Sequence, residues 1–434
     1  MIFWVSRFAK NYLYSERGAN QMGNVTKKKM TRREFLKTSG KTAGLIGGAI
    51  AFPTVLESTA RAAGDAVKVG IMFSLSGPYA PAGTDRTDGA LLAIEELNAK
   101  GGMLGRKIEA LVRDDQANPG VAATRTKELV EKEEIKFLVG GNTSATVPAM
   151  KDQTAPKKVI FMVGCMADTT FAAPLYDRTL FHIYPSAWMS ANVMGRYAAK
   201  NFGKKWYFLI ADYAWGWENF NSYSAVLNEF NGTNLGVTGH PLAASDFSPY
   251  ITKIMALKPE VLIVVNGGRD QINSWKQLRE FGAFEKMKVV ATILYYSSVL
   301  GAGVDSVMGG YGATPFYWED PLETTQKFVE KFMKRHNRPP SDDNAVGYEG
   351  MMELASAVER VKSLDPEKII PAMEDHRFQW TRTPEYWRKC DHQAIHDLLV
   401  VTPKKPQKKY DIFQIVDKMG GEKIARPCQE LGLK

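Results

Sequence analysis

Short apolar runs recur along the chain, each followed by a polar, glycine-rich turn and then a stretch whose apolar residues return every three or four positions. The first run is Val67-Lys-Val-Gly-Ile-Met-Phe73, a strand that feeds a loop containing Gly77-Pro78. Ala90, Leu91, Ile94 and Leu97 then keep helical spacing, which predicts a helix over residues 84–100, stopped by Gly101-Gly102. The unit repeats. Residues 107–113 read as a strand ending at Asp114-Asp115, and Asn118 with Pro119 caps a helix reaching about residue 134. Residues 135–141 form a buried strand that opens into Asn142-Thr-Ser-Ala-Thr146 and a short helix. The strand at 159–163 opens into Gly164-Cys-Met-Ala-Asp168. Four such units in a row predict a doubly wound α/β layer, in which ligands bind at the carboxyl ends of the strands.

The chain crosses over near Phe181-His-Ile-Tyr-Pro185, and a second series begins. Trp206-Tyr-Phe-Leu-Ile210 is its first strand, followed by the loop Asp212-Tyr-Ala-Trp-Gly-Trp217 and a helix over about 218–230. Val261-Leu-Ile-Val-Val265 opens into Asn266-Gly-Gly-Arg-Asp270 and a helix to Gly282, and Val289-Val-Ala291 is the last core run. Gly312-Ala-Thr-Pro315 reads as a return crossover to the first layer, through helices at 324–336 and 348–362. Beyond about Phe378, aromatic and basic residues mix without a readable period.

Composition changes this picture little; charge changes it once. The 434 residues are 44% hydrophobic and 24% charged, ordinary for a globular chain of two or three domains. A formal net charge of +9 suggests nucleic acid or a membrane surface, but residues 1–62 carry 11 Lys/Arg against 3 Asp/Glu, and the remainder balances 45 against 44. A nucleic-acid partner is therefore not expected. The excess belongs to a leader. Thr31-Arg-Arg-Glu-Phe-Leu-Lys37, an apolar stretch at 43–56 and Ala60-Arg-Ala62 follow one another as in a twin-arginine export signal, which predicts a periplasmic protein cleaved after about Ala62. Of three cysteines, Cys390 and Cys428 flank the C-terminal segment and are expected to pair, leaving Cys165 unpaired on its loop.

Ser76-Gly-Pro78, Asn98-Ala-Lys-Gly-Gly102, Asp114-Asp115 and Asp246-Phe-Ser-Pro-Tyr-Ile-Thr252 follow in an order that resembles the leucine/isoleucine/valine-binding protein family, from about Val67 to the C-terminus. These are type I solute-binding proteins of ATP-driven (ABC) importers. The resemblance implies two doubly wound parallel-sheet lobes joined by crossover strands, residues 63–183 with 315–376 and residues 184–314 with 377–434. It implies a monomer that closes on a small solute and delivers it to an inner-membrane permease, with no cofactor and no metal. A sensor that hands its ligand state to a separate membrane receptor is the alternative on the same fold.

The ligand contacts that the resemblance implies fall on Ser144, as carboxylate binder, on Cys165, Met166 and Ala167, and on Trp215 beside Tyr213 and Trp217. Where the family has a threonine, this chain has Ala167. Tyr79, Asn266 and Tyr295 complete the candidate set. Ser144 also suits a plain helix cap, and the aromatic residues also suit lobe core. Members that bind amino acids place a carboxylate against the ligand ammonium near Thr292-Ile-Leu-Tyr-Tyr296, and no Asp or Glu occurs from Lys288 to Gly303. A buried ammonium without a partner is costly. The expected ligand is therefore an apolar or aromatic carboxylate; a branched-chain amino acid, with Asp270 as substitute partner, and amide-like solutes remain open. Catalysis is not expected, since the chain shows no nucleophile elbow and no phosphate loop. His392 and His396 would share a helical face as in some zinc sites, but without the glutamate of the hydrolase spacing.

Overall fold

A computed structural model describes residues 66–433, so the expected leader and its cleavage site lie outside the described residues. The first lobe is built on β1 (Val67–Phe73), β2 (Ile108–Asp114), β3 (Phe137–Gly140), β4 (Ile160–Val163) and β5 (Leu180–His182), all parallel, in the order β2-β1-β3-β4-β5. Strands β1, β3, β4 and β5 are buried almost throughout, as a sheet covered on both faces requires. Its helices include α1 (Ala80–Ala99), α2 (Pro119–Glu131) and α3 (Thr146–Thr154). Asn118 caps α2 through its side chain, which accepts from the Gly120 and Val121 N–H groups. Helix α1 begins four residues before the apolar spacing predicts, because Pro81 takes a first-turn position where its missing N–H is not needed.

The second lobe opens with α4, a helix that runs from Ala187–Ser190 through a wider π turn, Ala191–Gly195, into Arg196–Asn201. Then follow β6 (Lys205–Ala211), α5 (Ala214–Glu229), β7 (Thr233–His240), α6 (Ser248–Leu257), β8 (Val261–Val265), α7 (Gly268–Glu280), β9 (Lys288–Ile293), α8 (Tyr296–Ala302) and β10 (Tyr311–Thr314). The order β7-β6-β8-β9-β10 is parallel. Strand β7 has no continuous apolar run because it is an edge strand, exposed at its start and only partly buried along most of its length. The return crossover expected at residues 312–315 is in fact β10, the fifth parallel strand, and the chain leaves the sheet only at Pro315.

The chain then forms α9 (Glu323–His336), α10 (Asp342–Val361) and α11 (Pro366–Met373). Helix α10 starts six residues earlier than its apolar pattern suggested. Ser341 accepts from the Asn344 N–H while the Asn344 side chain accepts from the Ser341 N–H, a reciprocal cap. The helix is buried on nearly every side and packs along α1. Two glycines allow that approach: a Cβ on Gly89 would stand 2.0 Å from the Asn344 carbonyl oxygen, and one on Gly347 1.9 Å from that of Arg86.

The unreadable C-terminal segment contains a small antiparallel sheet, β11 (Arg377–Phe378), β12 (Glu385–Trp387) and β13 (Ala394–Ile395), and a hairpin, β14 (Leu398–Pro403) and β15 (Phe413–Met419), that adds antiparallel to β10. His392 and His396 flank β13 rather than sharing a helical face. His392 Nδ1 lies 3.0 Å from the Leu180 carbonyl oxygen, and its ring stacks on Phe181 at 4.2 Å. Cys390 and Cys428 are joined in a disulfide, and Cys165 is free and buried. Among the described residues, no helix is long and apolar enough to cross a membrane.

Candidate functional site

Each sheet reverses its strand order once, between β1 and β3 in the first lobe and between β6 and β8 in the second. Ligands of open α/β sheets bind at such points, outside the carboxyl ends of the strands. Here the two reversal points contribute loops to one cleft. The first lobe lines it with Tyr79, Ala82 and Arg86 from the start of α1, Asn142, Thr143 and Ser144 after β3, and Cys165 and Met166 after β4. The second lobe answers with Tyr213 and Trp215 after β6, Gly268 after β8, and Tyr295, Ser297 and Ser298 after β9. The longer helices α1, α3, α5 and α7 all begin at this cleft, so four positive dipole ends meet around it.

Of the residues singled out in the sequence, the structure brings Tyr79, Ser144, Cys165, Met166, Trp215 and Tyr295 together in the lining. Ala167 is buried behind them. Asn266 and Asp270 do not line the cleft. Asn266 is turned into the second lobe, where its amide donates to Ser274 Oγ at 3.0 Å. Asp270 Oδ2 accepts from the Ala243 N–H at 3.2 Å, and burial pushes its carboxyl up to about 6. The loop expected at 212–217 is shorter than read: α5 begins at Ala214, which puts Trp215 in its first turn, while Trp217 is 40% exposed and donates to Asp212.

Thr143, not Ser144, serves the start of α3, with its hydroxyl accepting from the Thr146 N–H at 3.2 Å. Ser144 is 3% exposed, and its Oγ has no partner. A buried hydroxyl is rarely left unpaired, so this atom on the cleft wall is open to a hydrogen bond with a solute. The neighbouring loop is held from behind: buried His182 donates from Nε2 to the Cys165 carbonyl oxygen at 2.7 Å. Burial pushes the His182 pKa down to about 4, keeping the ring neutral. Burial likewise pushes the Cys165 thiol up, so it presents a neutral sulfur to the cleft. Met166 Sδ accepts from the indole N–H of Trp215 at 3.1 Å, a contact between the lobes. Further contacts cross the cleft mouth: the hydroxyls of Tyr79 and Tyr213 are 2.9 Å apart, and the Arg269 N–H donates to the Pro78 carbonyl oxygen at 3.3 Å.

The sequence reading did not single out Arg86. Its signal was present, since Tyr79, Ala82 and Arg86 recur at helical spacing and put a guanidinium on the face that also carries Ala90 and Ala93.

Residues 66–409 match the periplasmic binding protein family. The chain belongs to that family. It is a solute-binding family, not one of enzymes, and its members work outside the cytoplasm. Among curated relatives, the Leu/Ile/Val-binding protein homolog 4 of Brucella melitensis is 24% identical over 359 residues, covering 80% of this chain and 86% of that protein. A periplasmic binding protein from Burkholderia mallei has a similar crystal structure, with a TM-score of 0.79 at 28% identity, covering 85% of this chain and 98% of the other. A solute-binding protein of an ABC transporter from Rhodopseudomonas palustris, solved with 3,4-dihydroxybenzoic acid, has a TM-score of 0.74 at 21% identity, covering 82% and 97%. A branched-chain amino acid transporter substrate-binding protein from Streptococcus pneumoniae, solved with isoleucine, has a TM-score of 0.71 at 19% identity, covering 81% and 99%. At those identities the last two speak for the fold of this binding protein.

Proposed function

We propose that this chain is the solute-binding component of an ABC importer and that it takes a small apolar or aromatic carboxylate between its lobes. The observation that carries this reading is the unpartnered, buried Ser144 hydroxyl, set among four helix N-termini and facing an aromatic wall. Hydroxyls and helix N-termini suit an anion. Tyr213, Trp215 and Tyr295 offer apolar surface, worth about 25 cal/mol per Å2 removed from water. No carboxylate lines the second-lobe wall; Asp270, the substitute ammonium partner, stands behind it, with Oδ2 accepting from the Ala243 N–H and Oδ1 without a partner. The relatives in complex with isoleucine and with a dihydroxybenzoic acid mark the two ligand classes that a test must separate.

A thermal-shift screen of refolded, ligand-free protein is that test, since a ligand that binds only the folded chain raises its melting temperature. Benzoate, hydroxybenzoates or 4-methylpentanoate should raise it more than leucine or isoleucine, and the shift should shrink at least severalfold in Ser144→Ala. A shift with leucine and none with 4-methylpentanoate would overturn the carboxylate reading. An inner-membrane permease is the partner in this reading, and the working form is a monomer. Export is assigned to Arg32-Arg33 and the apolar stretch after them. N-terminal sequencing of the exported protein should begin near Ala63; an intact N-terminus would count against a cleaved leader.

A further inference from the structure

One charged side chain lines the cleft, and it is already paired. Arg86 Nη2 lies 2.6 Å from Asp343 Oδ1, with both side chains almost completely buried. Its Nη1 donates to Asn142 Oδ1, and its guanidinium lies 5.0 Å from the centre of the Tyr184 ring. Three polar atoms around this pair have no hydrogen-bond partner: Arg86 Nε, Asp343 Oδ2 and, one residue earlier, Asp342 Oδ1. The close approach of α1 and α10 at Gly89 and Gly347 sets the pair against the cleft wall.

Resting on the carboxylate reading above, we propose that Arg86 is the residue that selects a carboxylate, and that its ion pair with Asp343 couples ligand binding to the uptake of one proton. The argument is one of charge balance. With Asp343 ionised, the pair is neutral. A carboxylate brought against Arg86 makes one cation face two anions in a space with little water, and an unpaired buried anion is costly. Protonating Asp343 relieves this: the ligand anion and one proton from solvent enter together, and net charge is conserved. Burial already pushes Asp343 up to about 6 against the pull of Arg86, and pushes Asp342 higher. A second anion beside Asp343 raises its pKa further in the complex. Affinity is then greatest below the free pKa of Asp343 and falls as pH rises from there towards the raised pKa. A zwitterionic amino acid adds no net charge and asks for no proton.

The other groups around the pair are accounted for. On α1, Asp85 adds its repulsion to the upward shift of Asp343, although it and Asp88 are paired with Arg338, at 2.7 and 3.2 Å. The Tyr184 hydroxyl donates to Asp342 Oδ2 at 3.3 Å, and burial keeps Tyr184, Tyr295 and Cys165 protonated. A second acidic pair, Asp168 and Glu218, lies near Cys165. Burial pushes Asp168 up to about 6, and burial together with the repulsion of Asp168 pushes Glu218 up to about 7, so the test must separate this pair from Asp343.

Isothermal titration calorimetry of the full chain at pH 7, in two buffers of different ionisation enthalpy, counts the protons bound with benzoate, 4-methylpentanoate, benzamide and leucine. The expected result is an uptake of about 0.5–1 proton per carboxylate and none with benzamide or leucine, with carboxylate affinity falling up to about tenfold per pH unit above pH 6. Asp343→Asn should abolish the uptake, flatten the pH profile and tighten carboxylate binding, a gain that damage to the fold would not produce. Arg86→Met should erase the preference for benzoate over benzamide, and Arg86→Lys should restore part of it. If a carboxylate binds wild type without proton uptake, or the pH profile persists in Asp343→Asn, this proposal falls and the carboxylate reading stands. If neither carboxylate binds and benzamide or leucine does, both fall.

Discussion

Single residues decide how this cleft is finished. Thr143 and Ser144 are adjacent hydroxyls, yet one serves α3 and the other faces the cleft without a partner. The sequence shows two residues able to cap and cannot say which one does, because the choice depends on how β3 delivers the turn. Gly268 is the clearest case of a backbone demand. It has φ of +56°, and a Cβ there would stand 2.4 Å from the Pro78 carbonyl oxygen of the other lobe. Gly268→Ala should therefore cost about 1–2 kcal/mol for the left-handed backbone alone, and should also obstruct contact between the lobes at the mouth. Ligand affinity should fall at least tenfold while the circular dichroism spectrum stays that of wild type. Unchanged affinity would mean that the lobes need not meet at Pro78 to hold the ligand.

At the scale of elements, the strands β1, β3, β4, β6 and β8 with continuous apolar runs were legible, and so was α2 with its Asn118 cap, whereas the Ser341–Asn344 cap of α10 was not. The elements that escaped were those whose stability is not local. Strand β7 is a partly buried edge, β10 is only four residues long, and the β14–β15 hairpin joins the sheet through β14, which pairs with the edge of β10. The first turn of α5 looked like loop because Tyr213-Ala-Trp-Gly-Trp217 is aromatic and glycine-containing, and packing overrode its weak propensity. The C-terminal segment is held by tertiary contacts: Gln393 donates to the His182 and Tyr184 carbonyl oxygens, the Ala173 N–H donates to Leu431, and a disulfide joins Cys390 to Cys428. That bridge spans 38 residues, which by loop entropy is worth at most about 4 kcal/mol. Cys390→Ser with Cys428→Ser should lower the urea midpoint by an amount matching about 2–4 kcal/mol, with carboxylate binding at 25 °C retained. An unchanged midpoint would show that packing alone holds the segment.

For the whole molecule, sequence alone determined the class of architecture. The period of the apolar residues and the glycine-rich turns after each run specify parallel strands with helices between them, and that places the functional loops at the carboxyl ends of the strands. Those signals are local: they depend on what one stretch must bury. Tyr79, Ser144, Cys165, Met166, Trp215 and Tyr295 sit on or beside such loops, but Ser144, Cys165, Met166 and Trp215 were singled out through the family resemblance. Asn266 was a candidate on the loop after β8 and Asp270 a candidate ammonium partner, yet neither lines the cleft: Asn266 donates to Ser274 Oγ and Asp270 Oδ2 accepts from the Ala243 N–H within the second lobe. Arg86 and Asp343 are 257 positions apart in the chain, and nothing in either neighbourhood marks them as a pair. Only the packing of α10 along α1 brings them together. The kind of site is thus written in short-range pattern, whereas the charge it presents to a ligand follows from the tertiary approach of two helices, because buried charges are set by their partners in space.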